Sequence, residues 1–186
     1  MPPHSGLVIA FLALLVLAGF YKLVDPVPTS GALRAAGLPA SMHLVRLLGI
    51  FEIVVGVAGV VWGGAVVSLI AAGLYAGFLV FVVEALRRRL PISSCGCLGA
   101  ADTPPTVAHV VVNSGAVLTL LLGFVSPIGP LGGIHSLPIA EGVAFTLFLS
   151  ATVYLLQGIL TVLPMREAQR RTTSLPIQSH PRSPRD

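Results

Sequence analysis

Apolar residues run along this chain in five long blocks, from about Gly6 to Val24, His43 to Trp62, Ala65 to Leu86, Val107 to Val125 and Pro138 to Val162. Each is close to or above the roughly 20 residues that a helix needs to cross about 30 Å of hydrocarbon. Between the blocks the polar signals are those that end helices. Asp25-Pro26-Val27-Pro28 stops the first, because proline cannot continue the hydrogen-bond ladder. Thr29 or Ser30 is placed to cap a short helix through Ala36, closed by Gly37-Leu38-Pro39, and Ser41 to cap the second spanning helix. Only Gly63 and Gly64 separate the second and third blocks, which predicts a tight hairpin. Arg87 to Arg89 and Pro91 end the third, and Pro104-Pro105 delays the fourth until Thr106. The fifth is expected to stop at Pro164, with a polar, disordered segment beyond it. The pattern predicts an all-α integral membrane protein.

Charge gives the spans a direction. All 11 Lys and Arg residues lie in alternate connections: Lys22, Arg34 and Arg46; Arg87, Arg88 and Arg89; and the tail from Arg166. The connections Trp62 to Gly64 and Ser126 to Leu137 carry no formal charge. By the positive-inside rule the N-terminus lies outside, and the tail and the segment after Arg89 lie in the cytoplasm. Composition agrees, since 55% hydrophobic and 10% charged side chains leave too little polar surface for a soluble core. The formal charge of +4 sits beside apolar segments, so it reads as topology and contact with anionic headgroups. No nucleic-acid footprint is expected. The first block has no Lys or Arg before it and no small-x-small site after it, so it is expected to stay as helix one.

A few polar residues fall where they are expensive. Glu52 lies deep in the second span, where a carboxylate must be protonated, hydrogen-bonded or paired. Two roles are open to it: proton handling or contact with the polar head of a cofactor such as a quinone, and a structural hydrogen-bond anchor. Arg46, six residues earlier, is off the same helix face and has the length to snorkel to the headgroups. Lys22 and Asp25 are spaced to pair at the end of helix one, and Glu84 with Arg87 or Arg88 at the end of helix three. Glu141 suits the start of the last span. His109 and Asn113 on the fourth are candidates for a site or for hydrogen bonding between helices. Trp62 suits the aromatic belt. Gly59 with Gly63, and Gly73 with Gly77, have the spacing that lets helices pack closely, within the bundle or in a homo-oligomer.

The two cysteines, Cys95 and Cys97, stand one residue apart in Ser94-Cys95-Gly96-Cys97-Leu98-Gly99, downstream of three arginines. Nearby positive charge favours the thiolate, the species that attacks disulfides or binds soft metals. A disulfide across one residue closes a small strained ring, which suits exchange with a partner better than stapling. Two thiolates do not complete a zinc site, so no metal site is predicted. Thiol-disulfide chemistry, metal handling with further ligands and a structural role all stay open.

Gly19-Phe20-Tyr21-Lys22-Leu23-Val24-Asp25-Pro26, then Glu52 with Gly56, then Cys95-Gly96-Cys97-Leu98-Gly99 resemble the MauE-type methylamine-utilisation proteins, related to the wider DoxX-like family. The likeness covers about residues 6 to 125. Ser94 and Leu98 depart from the family's usual Asp-Cys-Gly-Cys-Phe-Gly, and Val112-Asn113 stands where arginine often precedes asparagine. The resemblance implies a DoxX-like four-helix membrane bundle at 1–125. An outer loop with a fifth transmembrane helix at 126–165 and a basic tail at 166–186 lie outside it. It also implies a role in protein maturation, supporting disulfide formation with a thioredoxin-like partner. The expected function is a thiol-redox or maturation factor of the plasma membrane, with Cys95 attacking and Cys97 resolving. The alternative is a non-enzymatic accessory subunit of a larger membrane complex.

Overall fold

The computed structural model describes residues 4–90, 92, 104–129 and 138–173, with side chains to residue 160. The described residues form α1 (Ser5–Val24), α2 (Val27–Ala35), α3 (Met42–Val61), α4 (Ala65–Arg87), α5 (Val107–Val125) and α6 (Ile139–Thr173). All but α2 are long and apolar enough to cross a membrane. This is an all-α, multi-pass membrane protein.

α1 is the hub, with 56% of its spanning window buried, against 33% or less for the other spans. Its contact with antiparallel α3 is the closest between the described spans. A Cβ at Gly19 would stand 2.5 Å from the Gly49 carbonyl oxygen, and one at Gly49 would stand 2.7 Å from the Gly19 oxygen. One end of the crossing is therefore backbone on backbone, the kind of approach on which helix association in lipid depends. Gly56 and Gly59 continue the seam against Leu12 and Val16. Gly73 and Gly77 of α4 play no such part, with no described neighbour within 4 Å of a Cβ at either.

α4 pairs with α5, and the two halves meet at Tyr75, whose hydroxyl donates to the Phe11 carbonyl at 2.7 Å. The Tyr75 ring packs edge-on against both Phe11 and Phe78. α6 lies along α1 and α5, seating Phe145, Leu149 and Leu156 against the core and burying Leu160. At one end the connections are closely stitched. Gly63 and Gly64 turn the α3–α4 hairpin at φ +67° and +95°, and the Gly64 N–H donates to the Ile128 carbonyl. At the other, where α1 and α4 finish and α3 and α5 begin, Arg34, Arg46 and Arg87 to Arg89 gather. This is the basic end.

Local chemistry explains the connections there. The Ser41 hydroxyl accepts the Leu44 N–H and caps α3, as its position predicts. α2 starts at Val27, ahead of the Thr29 or Ser30 expected to cap it, because the Asp25 carboxylate accepts the Val27 N–H at 3.1 Å and Pro28 fits a first turn. α2 then packs Ala32 against Ala85 and Ile92 at the end of α4. Glu84 and Arg88 form the exposed pair expected of their spacing. α6 corrects one boundary: it continues through Pro164 to Thr173. Proline deletes one ladder bond and strains another, which a long helix tolerates. At 35 residues α6 is longer than a span requires.

Both α2 and α4 close with a 6→1 and a 5→2 backbone bond, from Leu38 and Gly37 and from Leu90 and Arg89 respectively. Gly37 takes the left-handed position of the first at φ +76°, but Arg89 takes that of the second at φ +49°. A side chain there costs about 1 kcal/mol. Arg89→Gly is therefore expected to raise stability by up to about 1 kcal/mol, measured by thermal unfolding in detergent. A loss of stability would mean that the arginine side chain is needed more than the turn is strained.

Candidate functional site

The buried polar side chains are unevenly distributed. Lys22, Glu52, His109 and Asn113 are all 6% exposed or less, and all lie in the half of the bundle nearer the basic end. Among the described residues, Ser5 and Ser68 are the buried polar side chains of the opposite half.

Lys22 and Glu52 form its centre. Lys22 Nζ donates to Glu52 Oε2 at 2.9 Å, across the α1–α3 contact. The side chains are 2% and 0% exposed. Helix direction brings them together. Side chains lean toward the N-terminus of their own helix, so in antiparallel helices Lys22 leans into the bundle and Glu52 toward the basic end. The register comes from Gly19 and Gly49, each three residues before the charge it serves. On the other side of Lys22, its ammonium lies 5.2 Å from the centre of the Phe78 ring, a distance at which the ring's negative face helps to solvate it.

This pairing corrects the expectation from spacing. Lys22 reaches Glu52, thirty residues away, while the Asp25 carboxylate caps α2. Arg46 is exposed near the start of α3, as a snorkelling side chain would be. The second oxygen, Glu52 Oε1, is buried with no hydrogen-bond partner among the described residues. It also has no accessible surface.

His109 and Asn113 are one turn apart on the inner face of α5, with Val112 and Ala116. His109 Nδ1 accepts the Thr106 N–H at 3.3 Å and lies 3.1 Å from the Thr106 hydroxyl. Its neutral ring therefore carries the proton on Nε2. The His109 side chain fastens the start of α5, where the segment bearing the cysteines rejoins the bundle. Asn113 lines a small cavity with Leu14, Ala18, Tyr75, Phe78 and Leu160, so that α1, α4, α5 and α6 all contribute walls.

Cys95 and Cys97 lie outside the described residues. What is described is where their segment begins and ends: it leaves α4 after Arg87 and enters α5 at Val107, both at the basic end. Among the described residues no three His, Cys, Asp or Glu side chains come together to hold a metal ion. The sequence picked out every polar member of the cluster singly. It missed the cross-helix pairing, for which the only signal was the matching Gly-x-x-Lys and Gly-x-x-Glu spacing on two neighbouring spans.

The family model described as methylamine utilisation protein MauE matches residues 4–126, from just before α1 to the end of α5. No curated protein and no solved structure matches the chain.

Proposed function

The chain belongs to the MauE family of methylamine-utilisation proteins, and from that premise we propose that it is a membrane-embedded thiol-redox or protein-maturation factor acting through Cys95 and Cys97. The observation that carries the reading is one of placement. Both cysteines belong to the single connection between α4 and α5, at the end of the bundle that holds the buried Lys22–Glu52 pair, His109 and Asn113.

In this reading residues 1–125 form the working four-helix domain, and α6 with its basic continuation is an addition to it. Arg87, Arg88 and Arg89 favour the thiolate at Cys95. That thiolate attacks a disulfide of a thioredoxin-like partner, forming a mixed disulfide and expelling one partner thiol. Cys97 then attacks Cys95 Sγ, which releases the partner's second thiol and leaves the Cys95–Cys97 disulfide. Two electrons and two protons pass to the partner. The reverse sequence oxidises a reduced partner, and the strain of a bond across one residue favours that direction. His109 holds the start of α5, where the segment ends, and Lys22–Glu52 ties the neighbouring α1 to α3.

Cys97→Ser is expected to accumulate a mixed disulfide through Cys95, seen as a reducible higher-mass species on non-reducing gels. Full maturation activity in a Cys95→Ser/Cys97→Ser variant, with no trapped species in either single variant, would end the proposal. The positive-inside pattern puts the segment in the cytoplasm. A membrane-impermeant thiol reagent is then expected to label it only after permeabilisation, and labelling of intact cells would reverse the topology.

A second reading, a non-enzymatic accessory subunit, is favoured by the outward face of α4. Gly73 and Gly77 leave it open to close approach by a helix of another chain. Its mark is a stable complex that co-purifies with the chain whether or not the cysteines are present.

A further inference from the structure

We infer that α6 is a dimerisation helix, joining two copies of this chain through the face it turns away from the bundle, with Tyr154 at the centre of the contact. This stands apart from the thiol chemistry proposed above. Tyr154 is 75% exposed, and the helices beside it give its depth. Leu160 shares a cavity with Ala18 and Asn113, which lie six residues before the end of α1 and six after the start of α5. At 1.5 Å per residue, Leu160 is about 9 Å inside the basic end of the bundle and Tyr154 about 18 Å. That is close to the middle of a hydrocarbon core of roughly 30 Å. The side chain leans toward the N-terminus of α6, away from the basic headgroups, and a tyrosine is too short to reach the opposite ones.

Lipid offers a phenol nothing to bond, and an unpaired hydroxyl in an apolar medium is costly. Thr146 and Thr152, on the same helix, avoid that cost by donating to the Gly142 and Phe148 carbonyls one turn back. The Tyr154 ring holds its hydroxyl too far from its own backbone to do the same. A facing helix supplies what lipid does not.

The surface around Tyr154 has the shape for one. Ala144, Leu147, Ala151, Tyr154 and Gly158 follow one another at spacings of three and four, the repeat by which two helices pack along a left-handed seam. Larger and smaller side chains alternate along it. The row that faces the bundle, Phe145, Leu149, Leu156 and Leu160, lies on the other side of the helix. Ala144, Leu147 and Ala151 are exposed, and a Cβ at Gly158 would meet no described neighbour within 4 Å. Such a face complements itself. Two copies inserted the same way have parallel α6 helices, so a two-fold axis along the membrane normal sets each Tyr154 ring over Ala151 and Gly158 of the second copy. Ser150 is exposed one turn before Tyr154, at the level the phenol reaches, and gives the hydroxyl an acceptor across the seam.

The test uses the full chain carrying Cys95→Ser and Cys97→Ser, which removes both native cysteines, in liposomes at high lipid excess. One cysteine is then added at the seam, by Ala151→Cys or Gly158→Cys. The controls are Thr146→Cys, exposed on α6 beside the seam, and Gly77→Cys on the open face of α4. Non-reducing gels after oxidation give the rate of linkage between copies. Both seam positions are expected to link about tenfold faster than both controls, the gain of a held pair over chance collision. Tyr154→Phe, which keeps the ring and drops the hydroxyl, should weaken association about threefold, the usual worth of one interhelical bond in a membrane. Gly158→Leu fills the hollow and should abolish linkage through Ala151→Cys. Unchanged helix content by circular dichroism separates a lost dimer from a lost fold. Equal linkage at all four positions, faster linkage through Gly77→Cys, or linkage through Ala151→Cys indifferent to both Gly158→Leu and Tyr154→Phe would overturn the dimer.

Discussion

Lys22→Met, with Glu52 left in place, is expected to destabilise the protein by about 3–5 kcal/mol, one of the two largest effects a single substitution should have here. The lysine is 1% exposed and the carboxylate 0%, and Glu52 Oε1 already lacks a hydrogen-bond partner among the described residues. Removing the ammonium strips Oε2 of its 2.9 Å donor as well, leaving a buried carboxylate that must take up a proton or force the helices apart. Glu52→Met should do comparable damage by the opposite route, leaving the buried ammonium without its carboxylate. Replacing both partners removes both charges at once. Lys22→Met/Glu52→Met is therefore expected to recover most of the loss, because a buried pair exchanged for apolar residues of similar volume is often neutral or better. Denaturant titration of the purified chain in mixed micelles gives the three numbers. Their departure from additivity is the coupling between the two sites. A cost below about 1 kcal/mol for both single variants would place the pair among weak surface bridges and contradict the burial on which this account rests.

The double variant also separates stability from function. If it is stable and still supports maturation, the pair is an anchor between α1 and α3 and no more. If it is stable and inactive, the charges themselves take part. Glu52 had both roles open to it in the sequence, and stability alone does not choose between them.

What was legible in the sequence, and what was not, follows from the range of the forces involved. The five spans could be read because twenty apolar residues in a row have few alternatives to crossing a bilayer. The Ser41 cap, the Gly63–Gly64 turn and the Glu84–Arg88 pair could be read because each is settled within four residues of chain. Pro164 misled because a helix stop is a local cost that a long helix can absorb. Lys22–Glu52 was illegible for the converse reason. Local spacing offered Asp25 to Lys22, and only the register of two antiparallel helices brings residue 52 to residue 22. That register is written in Gly19 and Gly49, which look like any of the 20 glycines until the helices are laid together. The same holds for the void beside Asn113, whose walls come from four helices.

Gly19→Ala tests that register directly, and it is the second substitution from which a large effect is expected. The added methyl would lie 2.5 Å from the Gly49 carbonyl oxygen, 2.9 Å from Ile53 and 3.0 Å from the Glu52 Cβ. The first of these is backbone and cannot rotate away, so α1 and α3 must separate. Overpacking of this kind costs about 1–3 kcal/mol, and the better helix propensity of alanine, worth up to about 1 kcal/mol, offsets part of it. Separation also lengthens the Lys22–Glu52 contact. The coupling measured between those residues should therefore shrink in a Gly19→Ala background, which simple helix destabilisation would not cause. Gly73→Ala and Gly77→Ala are the matched controls, since no described neighbour stands within 4 Å of a Cβ at either position. Both are expected to hold stability within about 0.5 kcal/mol of the parent or to raise it slightly. If Gly73→Ala or Gly77→Ala instead breaks an oligomer or a co-purifying complex, the open face of α4 has a partner and the accessory-subunit reading gains. If Gly19→Ala costs nothing and leaves the coupling intact, the α1–α3 crossing is looser than its glycines imply, and the buried pair must be held together by something other than helix register.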